Sequence, residues 1–314
     1  MSLLISSWGL RRRGFLGAGA AALAGAAISG HAAAADSGRI LPGLQSITVM
    51  EPLAEDLPGT LRAIAGIGYR DIETIGALGL DAPALRRRLD AAGLSSAAQH
   101  LCPRAFYPEM LAWSRGEISM TATLAKLTEV YAFDRMDVVL EEGMADAQAL
   151  GQTCLVWTYL PSDDLTTVAG VDRIAEAFNR AGERCHKAGL TFGFHNGGKG
   201  FTPVDGVRPY DMLLRRTDPQ IVKMELDVYW MTKAGGDPVA YLDENPGRYP
   251  LCHLKDMSRE GDIRAPGTGI LDFPKILAAA ERSGVRAVYV EYDQAPRPLE
   301  DSRMAFEFIR RLRY

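Results

Sequence analysis

Short apolar runs alternate with amphipathic helical stretches along most of this chain. The apolar runs are rich in Val, Ile, Leu and Phe, as in 190–196 and 287–292. Such runs are typical of parallel strands that are buried on both faces. Between them, stretches such as 172–188 repeat apolar residues three or four positions apart, which predicts helices that cover the strands.

The alternation predicts eight strands and eight helices. Strands are predicted over 44–50, 69–75, 96–101, 153–159, 190–196 and 287–292, with two more ending at Asp227 and His253. Helices are predicted over 56–66, 82–92, 118–150, 172–188, 210–215 and 273–283, between Asp227 and His253, and from Asp301 onward. No linker divides residues 36–314, and this length and count predict a single α/β domain, a (β/α)8 barrel.

Composition narrows the class of protein. With 47% apolar and 24% charged residues, the chain is neither disordered nor collagen-like. Four cysteines without Cys-x-x-Cys spacing indicate buried thiols rather than a zinc knuckle or a disulfide framework. A pI near 5.8 without a basic stripe excludes nucleic acid as an expected partner.

The first 35 residues resemble a twin-arginine export signal. Arg12 and Arg13 precede Phe15 and Leu16, and a short Ala/Gly-rich run follows. That run is shorter than the roughly 20 residues of a membrane-spanning helix, which disfavours a permanent anchor. We therefore expect contact with the twin-arginine translocase during export, a periplasmic location, and no stable membrane insertion after processing.

Four polar residues stand at or near the ends of the last four predicted strands: His195, Asp227, His253 and Glu291. The carboxyl ends of neighbouring strands meet at one face of a closed barrel, so these side chains can converge. Two imidazoles and two carboxylates suit a divalent cation such as manganese, iron, cobalt or zinc.

Other polar and aromatic residues near the strand ends are candidate substrate contacts or core residues. His100, near the end of strand three, is either a substrate contact or a core histidine. Trp157 and Trp230 lie at the ends of strands four and six, where a ring can stack on a sugar or pack in the core. Glu225 shares a face with Asp227 one step deeper, where pairing with Lys223 or Lys255 is expected.

The chain also resembles the sugar phosphate isomerase/epimerase family, which has the xylose isomerase barrel. The segments that carry the resemblance are LQSITV, DLPGTLRAIAGIGYRDIE, LTFGFHN, ELDVYW, GDPVAYLDENPGRYPLCHLKD and GTGILDF, which look like the family's exported branch. The resemblance implies a metal held by His195, Asp227, His253 and Glu291 against neighbouring sugar oxygens. The chain departs from the family's pattern at His195, where relatives often have a carboxylate. It also departs at Gly197, where the exported branch often has a second His.

The resemblance also implies a reaction. A metal that chelates a hydroxyl and an adjacent carbonyl stabilises an enediolate, with Glu291, His253 and Lys255 as candidate catalytic residues. Glu73 and Lys199 join His100, Trp157 and Trp230 as candidate substrate contacts. Export favours a non-phosphorylated sugar, keto-sugar or glycoside as the substrate. From the resemblance we expect an isomerase or epimerase that acts on such a sugar. The alternatives are a lyase that cleaves 3-keto-glycosides by β-elimination, and a non-catalytic periplasmic sugar-binding protein.

The segment 102–150 is an insertion after strand three. Its first part, to residue 117, reads as an irregular loop with three aromatic residues, Phe106, Tyr107 and Trp113. Because the loop leaves the same barrel face as the strand ends, we expect these rings to line or cover the site. The alternative is packing under the following helix or against a second subunit of a homo-oligomer.

Overall fold

Eight parallel strands close into a barrel in the structure, a computed structural model that describes residues 40–314. The predicted export signal lies outside the described residues. In chain order the barrel strands are Gly43–Gln45, Ile72–Ile75, Ala98–His100, Cys154–Trp157, Thr191–His195, Val222–Asp227, Leu251–Leu254 and Ala287–Val290. Strand one closes the barrel by pairing with strand eight, Gly43 opposite Tyr289. The predicted α/β fold, a (β/α)8 barrel, is confirmed.

Helices surround the barrel. They span Met50–Glu55, Leu57–Ile67, Ala82–Ala92, Tyr107–Ser114, Met120–Val130, Met136–Leu150, Val168–Lys187, Pro209–Arg216, Val228–Lys233, Pro238–Glu244, Phe273–Ser283 and Pro298–Ile309. Local sequence sets several ends: Asp81 and Asp272 accept backbone N–H groups at helix starts, and Gly93 and Gly284 adopt left-handed conformations at helix ends. Within residues 40–314, none of the helices is both long and apolar enough to span a lipid bilayer.

The barrel interior is layered. Its lower layer is apolar and contains Ala98, Cys154, Val156, Leu251 and Tyr289. Above it, alternate residues of the same strands are polar, as the period of two along a strand requires. The lower layer therefore closes the barrel at one end, and the polar residues collect toward the carboxyl ends of the strands. All four cysteines are buried free thiols, as predicted.

Two predicted elements are wrong. Strand one is not 44–50 but ends at Gln45, because the side chain of Gln45 accepts the N–H of Ile47 and begins a 3-10 turn that leads into the helix Met50–Glu55. The insertion is neither an irregular loop nor followed by one long helix. Pro108 lies in the first turn of one helix and Ser119 caps a second, so 107–150 contains three helices.

Strand seven is followed by a small hairpin, Asp256–Met257 with Ile263–Arg264, whose loop is held by one buried carboxylate. Asp256 accepts backbone N–H groups from Met257 at 2.8 Å, Gly267 at 3.0 Å, Gly269 at 2.8 Å and Leu271 at 3.1 Å. Because Asp256 directly follows Lys255, this carboxylate fixes the loop beside the carboxyl end of strand seven.

We expect Asp256→Ala to lower the free energy of unfolding by about 2–4 kcal/mol, because several N–H groups lose their acceptor in a closed loop. Urea denaturation measures the change. Asp262→Ala is the matched control, since the Asp262 side chain is 67% exposed in the same hairpin; it should change the free energy of unfolding by less than about 0.5 kcal/mol. Equal losses in both variants would contradict the anchoring role of Asp256.

Candidate active site

The structure brings the four predicted ligand residues together at the carboxyl ends of strands five to eight. His195 and Asp227 are the last residues of their strands, His253 lies in strand seven, and Glu291 follows strand eight. One potential ligand atom from each lies within 4.8 Å of those of the other three, and all four residues are buried. The arrangement is thus compact enough to surround a single cation.

Asn196 holds the ends of strands five and six together. Its amide donates to the carbonyl of Asp227 at 3.1 Å and accepts the N–H of Asp227 at 2.9 Å. Asp227 in turn caps the next helix by accepting the N–H of Trp230 at 2.9 Å through Oδ1. Oδ2 accepts no hydrogen bond and lies 3.3 Å from Nζ of Lys255 and 3.5 Å from Nε2 of His195. Neither Oδ2 nor Nε2 of His195 has a hydrogen-bond partner, so both are suited to bind a metal.

Lys255 is an ammonium group between three carboxylates. Its Nζ lies 3.0 Å from Asp293, 3.1 Å from Glu291 and 3.3 Å from Asp227. Burial by itself would lower the pKa of Lys255, but the three acids raise it well above the usual value. Lys255 therefore acts as a fixed positive charge and hydrogen-bond donor, not as a base.

His253 lies between acids on both sides of its ring. Nδ1 contacts Glu291, whereas Nε2 lies 2.5 Å from Glu73 and 3.2 Å from Glu225. Burial alone would lower the pKa of His253, but the charges of Glu225, Glu291 and Glu73 raise it well above the usual value. Glu225 also bonds to His100 at 2.7 Å. The expected pairing of Glu225 with a lysine is therefore wrong, because the two histidines are closer within the barrel.

Burial shifts the proton affinity of other groups at the site. It lowers the pKa of His195, which favours the neutral imidazole that binds metals. Burial and the neighbouring charge of Glu225 raise the pKa of Glu73 to about 7. Burial likewise raises the pKa of Asp293 to about 7, although Lys255 opposes the shift.

The polar set fits a divalent cation. Buried carboxylate oxygens without hydrogen-bond partners remain on Glu73, Glu225, Asp227 and Asp293. Burying several carboxylates around a single lysine is costly, so the arrangement favours a further positive ion among these groups. Imidazole nitrogen and carboxylate oxygen are the donors preferred by zinc, manganese, iron and cobalt. The chain thus holds a buried cluster that could bind a metal.

A cavity of about 200 Å³ opens above this cluster. Its lining includes the charged and imidazole side chains of His100, His195, Lys255, Glu291 and Asp293. The rest is largely apolar or aromatic and includes Ile47, Ile75, Leu101, Met110, Trp113, Leu127, Tyr131 and Trp230. The cavity is below the roughly 300–1,000 Å³ of typical drug-sized ligand sites, so it suits a small ligand such as a single sugar ring.

Of the other predicted substrate contacts, two line the cavity and the rest do not. His100 and Trp230 line the cavity. Trp157 does not: it is fully buried and packs edge-on against Tyr131, which supports the packing alternative. Glu73 lies below the cavity and contacts protein groups, while Lys199 is exposed and lies outside the cavity lining.

Of the three aromatic residues of the insertion, one lines the cavity and two pack elsewhere. Trp113 lines the cavity, as expected, and its carbonyl accepts a hydrogen bond from Gln294. Phe106 and Tyr107 instead pack in the hydrophobic core, and Tyr107 also borders a separate groove. The expectation that all three rings line the site is wrong for Phe106 and Tyr107, because the segment folds as a helix that presents its residues to different sides.

Sequence reasoning missed Asp293, Asn196 and Gln45. Asp293 could have been found, because it lies two residues after Glu291 and therefore shares its face of an extended chain. The roles of Asn196 and Gln45 depend on side-chain hydrogen bonds to other strands. No periodic signal marks these two residues.

Comparison with known proteins places the fold in a family. A family model for the xylose isomerase-like TIM barrel matches residues 61–312. The chain belongs to the xylose isomerase-like TIM barrel family. Among solved structures, this barrel is similar to a sugar phosphate isomerase/epimerase from Parabacteroides distasonis ATCC 8503. The two are 25% identical with a TM-score of 0.68, and the match covers 88% of this chain and 95% of the other.

Curated relatives of this xylose isomerase-like barrel include an inosose dehydratase from Geobacillus kaustophilus (strain HTA426). It is 28% identical over 165 residues, which are 45% of this chain and 52% of the relative. The chain thus aligns with about half the length of this relative. A 3-keto-D-glucoside 4-epimerase from E. coli shares the fold, with a TM-score of 0.62, 13% identity and coverage of 87% and 100%.

We expect Lys255→Met to destabilise the metal-free protein by about 3–5 kcal/mol, because it leaves three buried carboxylates without their cation. Urea denaturation in the presence of a chelator measures the loss, and added zinc should restore part of it. Lys199→Met removes an exposed lysine near the same barrel face and should leave stability unchanged. Similar stability of Lys255→Met and the unaltered protein would show that the carboxylates do not depend on Lys255.

Proposed function

We propose that this protein is a metal-dependent isomerase or epimerase that acts on a non-phosphorylated sugar or keto-sugar. The observation that carries the proposal is the group His195, Asp227, His253 and Glu291, whose ligand atoms lie within 4.8 Å of one another beneath a cavity. Family membership supports a sugar-modifying enzyme, and the solved relative from Parabacteroides distasonis is named a sugar phosphate isomerase/epimerase.

The metal would be held by those four residues. A divalent cation bound there supplies Lewis acidity to neighbouring oxygens of the sugar and so weakens the C–H bond beside the carbonyl. Lys255 holds Asp227 and Glu291 in position through its contacts at 3.3 Å and 3.1 Å. Trp230 and Trp113 provide apolar faces next to the ligand group, where the C–H face of a sugar ring can pack and water is excluded.

Asp293 is the group placed to move a proton. It lines the cavity, its Oδ2 is bound by Lys255 at 3.0 Å, and its Oδ1 has no hydrogen-bond partner. In our proposal Oδ1 accepts the proton from the carbon beside the carbonyl. Return of that proton to the neighbouring carbon, with a proton passing between the two sugar oxygens, gives isomerisation. Protonation of the original carbon from the opposite face by a water molecule, whose hydroxide then takes the proton from Asp293, gives epimerisation.

The charges of the cavity support an uncharged substrate. Lys255 is the only lysine or arginine among the described residues that line the cavity, and three carboxylates already surround it. A phosphate would therefore meet acidic groups without a free cation to bind it. This is consistent with the predicted export of the chain, which we propose occurs by the twin-arginine pathway to the periplasm.

A second candidate is β-elimination. It is favoured by the curated relatives, which are named inosose dehydratases. Here the C–H bond breaks as before, a C=C bond forms, and the oxygen on the next carbon leaves with its bonding electrons. Protonated Asp293 is positioned to return a proton to that leaving oxygen. The same residues thus serve both candidates, and the fate of the carbon–oxygen bond separates them.

Incubation in deuterated water tests the proposal. The zinc- or manganese-loaded protein is mixed in turn with free ketoses, a 3-keto-glucoside and an inosose, and the sugars are followed by NMR and mass spectrometry. Isomerase or epimerase activity predicts deuterium at carbon in a sugar of unchanged composition. Elimination predicts loss of water or release of an aglycone. Binding of sugar without either change, by a protein that retains no metal, would favour the non-catalytic binder instead.

Measurements of metal content and turnover should distinguish the metal ligands from the proton acceptor. We expect Asp227→Asn and Glu291→Gln to lower metal content sharply in a folded barrel, because each removes a charged ligand. Asp293→Asn should retain the metal but lower turnover by roughly 10²–10⁴-fold, because it removes the proton acceptor. Elemental mass spectrometry measures the metal. Unchanged metal content in both ligand variants would remove the proposed site.

A further inference from the structure

Below the proposed metal site, Ser46, Gln45, Glu73 and His253 form a continuous line of hydrogen bonds, which we call the Gln45 network. All four side chains are fully buried. They connect the end of strand one, through strand two, to the histidine of strand seven. Gln45 and Ser46 take no part in the proposed reaction and do not line the cavity. Both belong to LQSITV, one of the segments that carry the resemblance to the sugar phosphate isomerase/epimerase family.

The direction of each hydrogen bond in the Gln45 network is fixed by backbone groups. The N–H of Ile75 donates to the Ser46 hydroxyl at 3.0 Å, so that hydroxyl donates to Oε1 of Gln45 at 3.1 Å. The N–H of Ile47 donates to the same Oε1 at 3.1 Å. A backbone N–H can only donate, so Oε1 is the acceptor end of the amide.

The amide end of Gln45 must therefore face Glu73. Nε2 of Gln45 donates to Oε2 of Glu73 at 2.8 Å, and Nε2 of His253 lies 2.5 Å from the same oxygen. As a carboxylate, Glu73 accepts from Gln45 through this oxygen and offers another lone pair of the same oxygen to the histidine. Nε2 of His253 is then held in its protonated form, and Nδ1, which contacts Glu291, is the nitrogen that gives up its proton when a metal binds.

We infer that Gln45 and Glu73 are positioning residues that hold the Nε2–H tautomer of His253, so that Nδ1 is the nitrogen that binds the metal. A carboxylate behind a metal-binding histidine commonly fixes the tautomer and orientation of the ring. The inference rests on the proposed metal site. It adds a role for two residues that touch neither the substrate nor the metal.

The inference also chooses between two overlapping groups of possible ligands. One group is His195, Asp227, His253 and Glu291; the other is His100, His195, Glu225 and His253. The second group lies on the Nε2 side of His253, because Glu225 is 3.2 Å from Nε2. If Nε2 carries the proton, His253 cannot offer that nitrogen to a metal, and the first group is the binding site.

Nitrogen NMR of the zinc-loaded protein tests the tautomer directly. The protein is labelled with ¹⁵N-histidine, and the His253 signals are assigned by their loss in His253→Ala. We expect a proton coupled to Nε2 and a zinc-shifted Nδ1 without a proton. A proton on Nδ1 with zinc on Nε2 would overturn the inference while leaving the proposed metal dependence intact. Failure of the unaltered protein to bind zinc would overturn both.

Three variants test the positioning role through zinc affinity, measured by calorimetry. Glu73→Leu removes the acceptor and should raise the dissociation constant by about 10–100-fold. Glu73→Gln keeps an amide oxygen that can accept from both neighbours, so it should retain most of the affinity and the Nε2–H signal. Gln45→Met should weaken zinc binding less than Glu73→Leu does. In Gln45→Met, Glu73 still accepts from His253 and loses only the hydrogen bond that Gln45 donates.

Gln152→Met is the matched control. Gln152 is also a buried glutamine, but it bonds to Thr74, Ser96 and Ala98 and has no contact with His253. It should change zinc affinity little, whatever its effect on the melting temperature. Unchanged affinity in folded Glu73→Leu, or equal losses of affinity in Gln45→Met and Gln152→Met, would show that the Gln45 network is only structural.

Discussion

The burial of excess negative charge is the constraint on which this site depends. Five carboxylates lie in or beneath the cavity, accompanied by one lysine and three histidines: Glu73, Glu225, Asp227, Glu291 and Asp293. Taking a charge out of water costs several kcal/mol unless partners replace the lost hydration. Each acid here contacts a cation or a histidine, yet Glu73, Glu225, Asp227 and Asp293 each keep an oxygen without a hydrogen bond. A metal ion held by the four proposed ligands would offset part of this negative charge.

The layered barrel interior makes this concentration of charge possible. Tyr289 and its apolar neighbours close the lower end, where Gly43 leaves the space for the tyrosine ring: a Cβ on Gly43 would lie 2.6 Å from it. Water is excluded from below, so the polar groups above interact in a medium of low dielectric constant. The middle layer, which contains the Gln45 network, then orients the residues that face the cavity.

The histidine at the end of strand five limits the negative charge of the proposed ligand set. His195 contributes a nitrogen rather than a carboxylate oxygen, and burial favours its neutral form. The four proposed ligands therefore carry two negative charges, which matches a divalent cation. The proton chemistry that we propose depends on Asp293 and its lysine partner.

The sequence by itself determined the barrel and the four strand-end residues. Both follow from local periodicity: buried strands repeat every two residues, helices every three or four, and the ends of parallel strands share one face. Local signals were weaker in the insertion, where a run of helical residues does not show where one helix stops and the next begins.

Only the tertiary structure decided which polar groups are partners. Glu225 contacts His100 and His253 rather than a lysine, Trp157 enters the core, and Gln45 reaches the histidine of strand seven through Glu73. These contacts join residues more than one hundred positions apart in several cases, and they depend on strand stagger and side-chain direction in the closed barrel. Periodicity assigns a residue to a face, but only packing fixes its height and its neighbours.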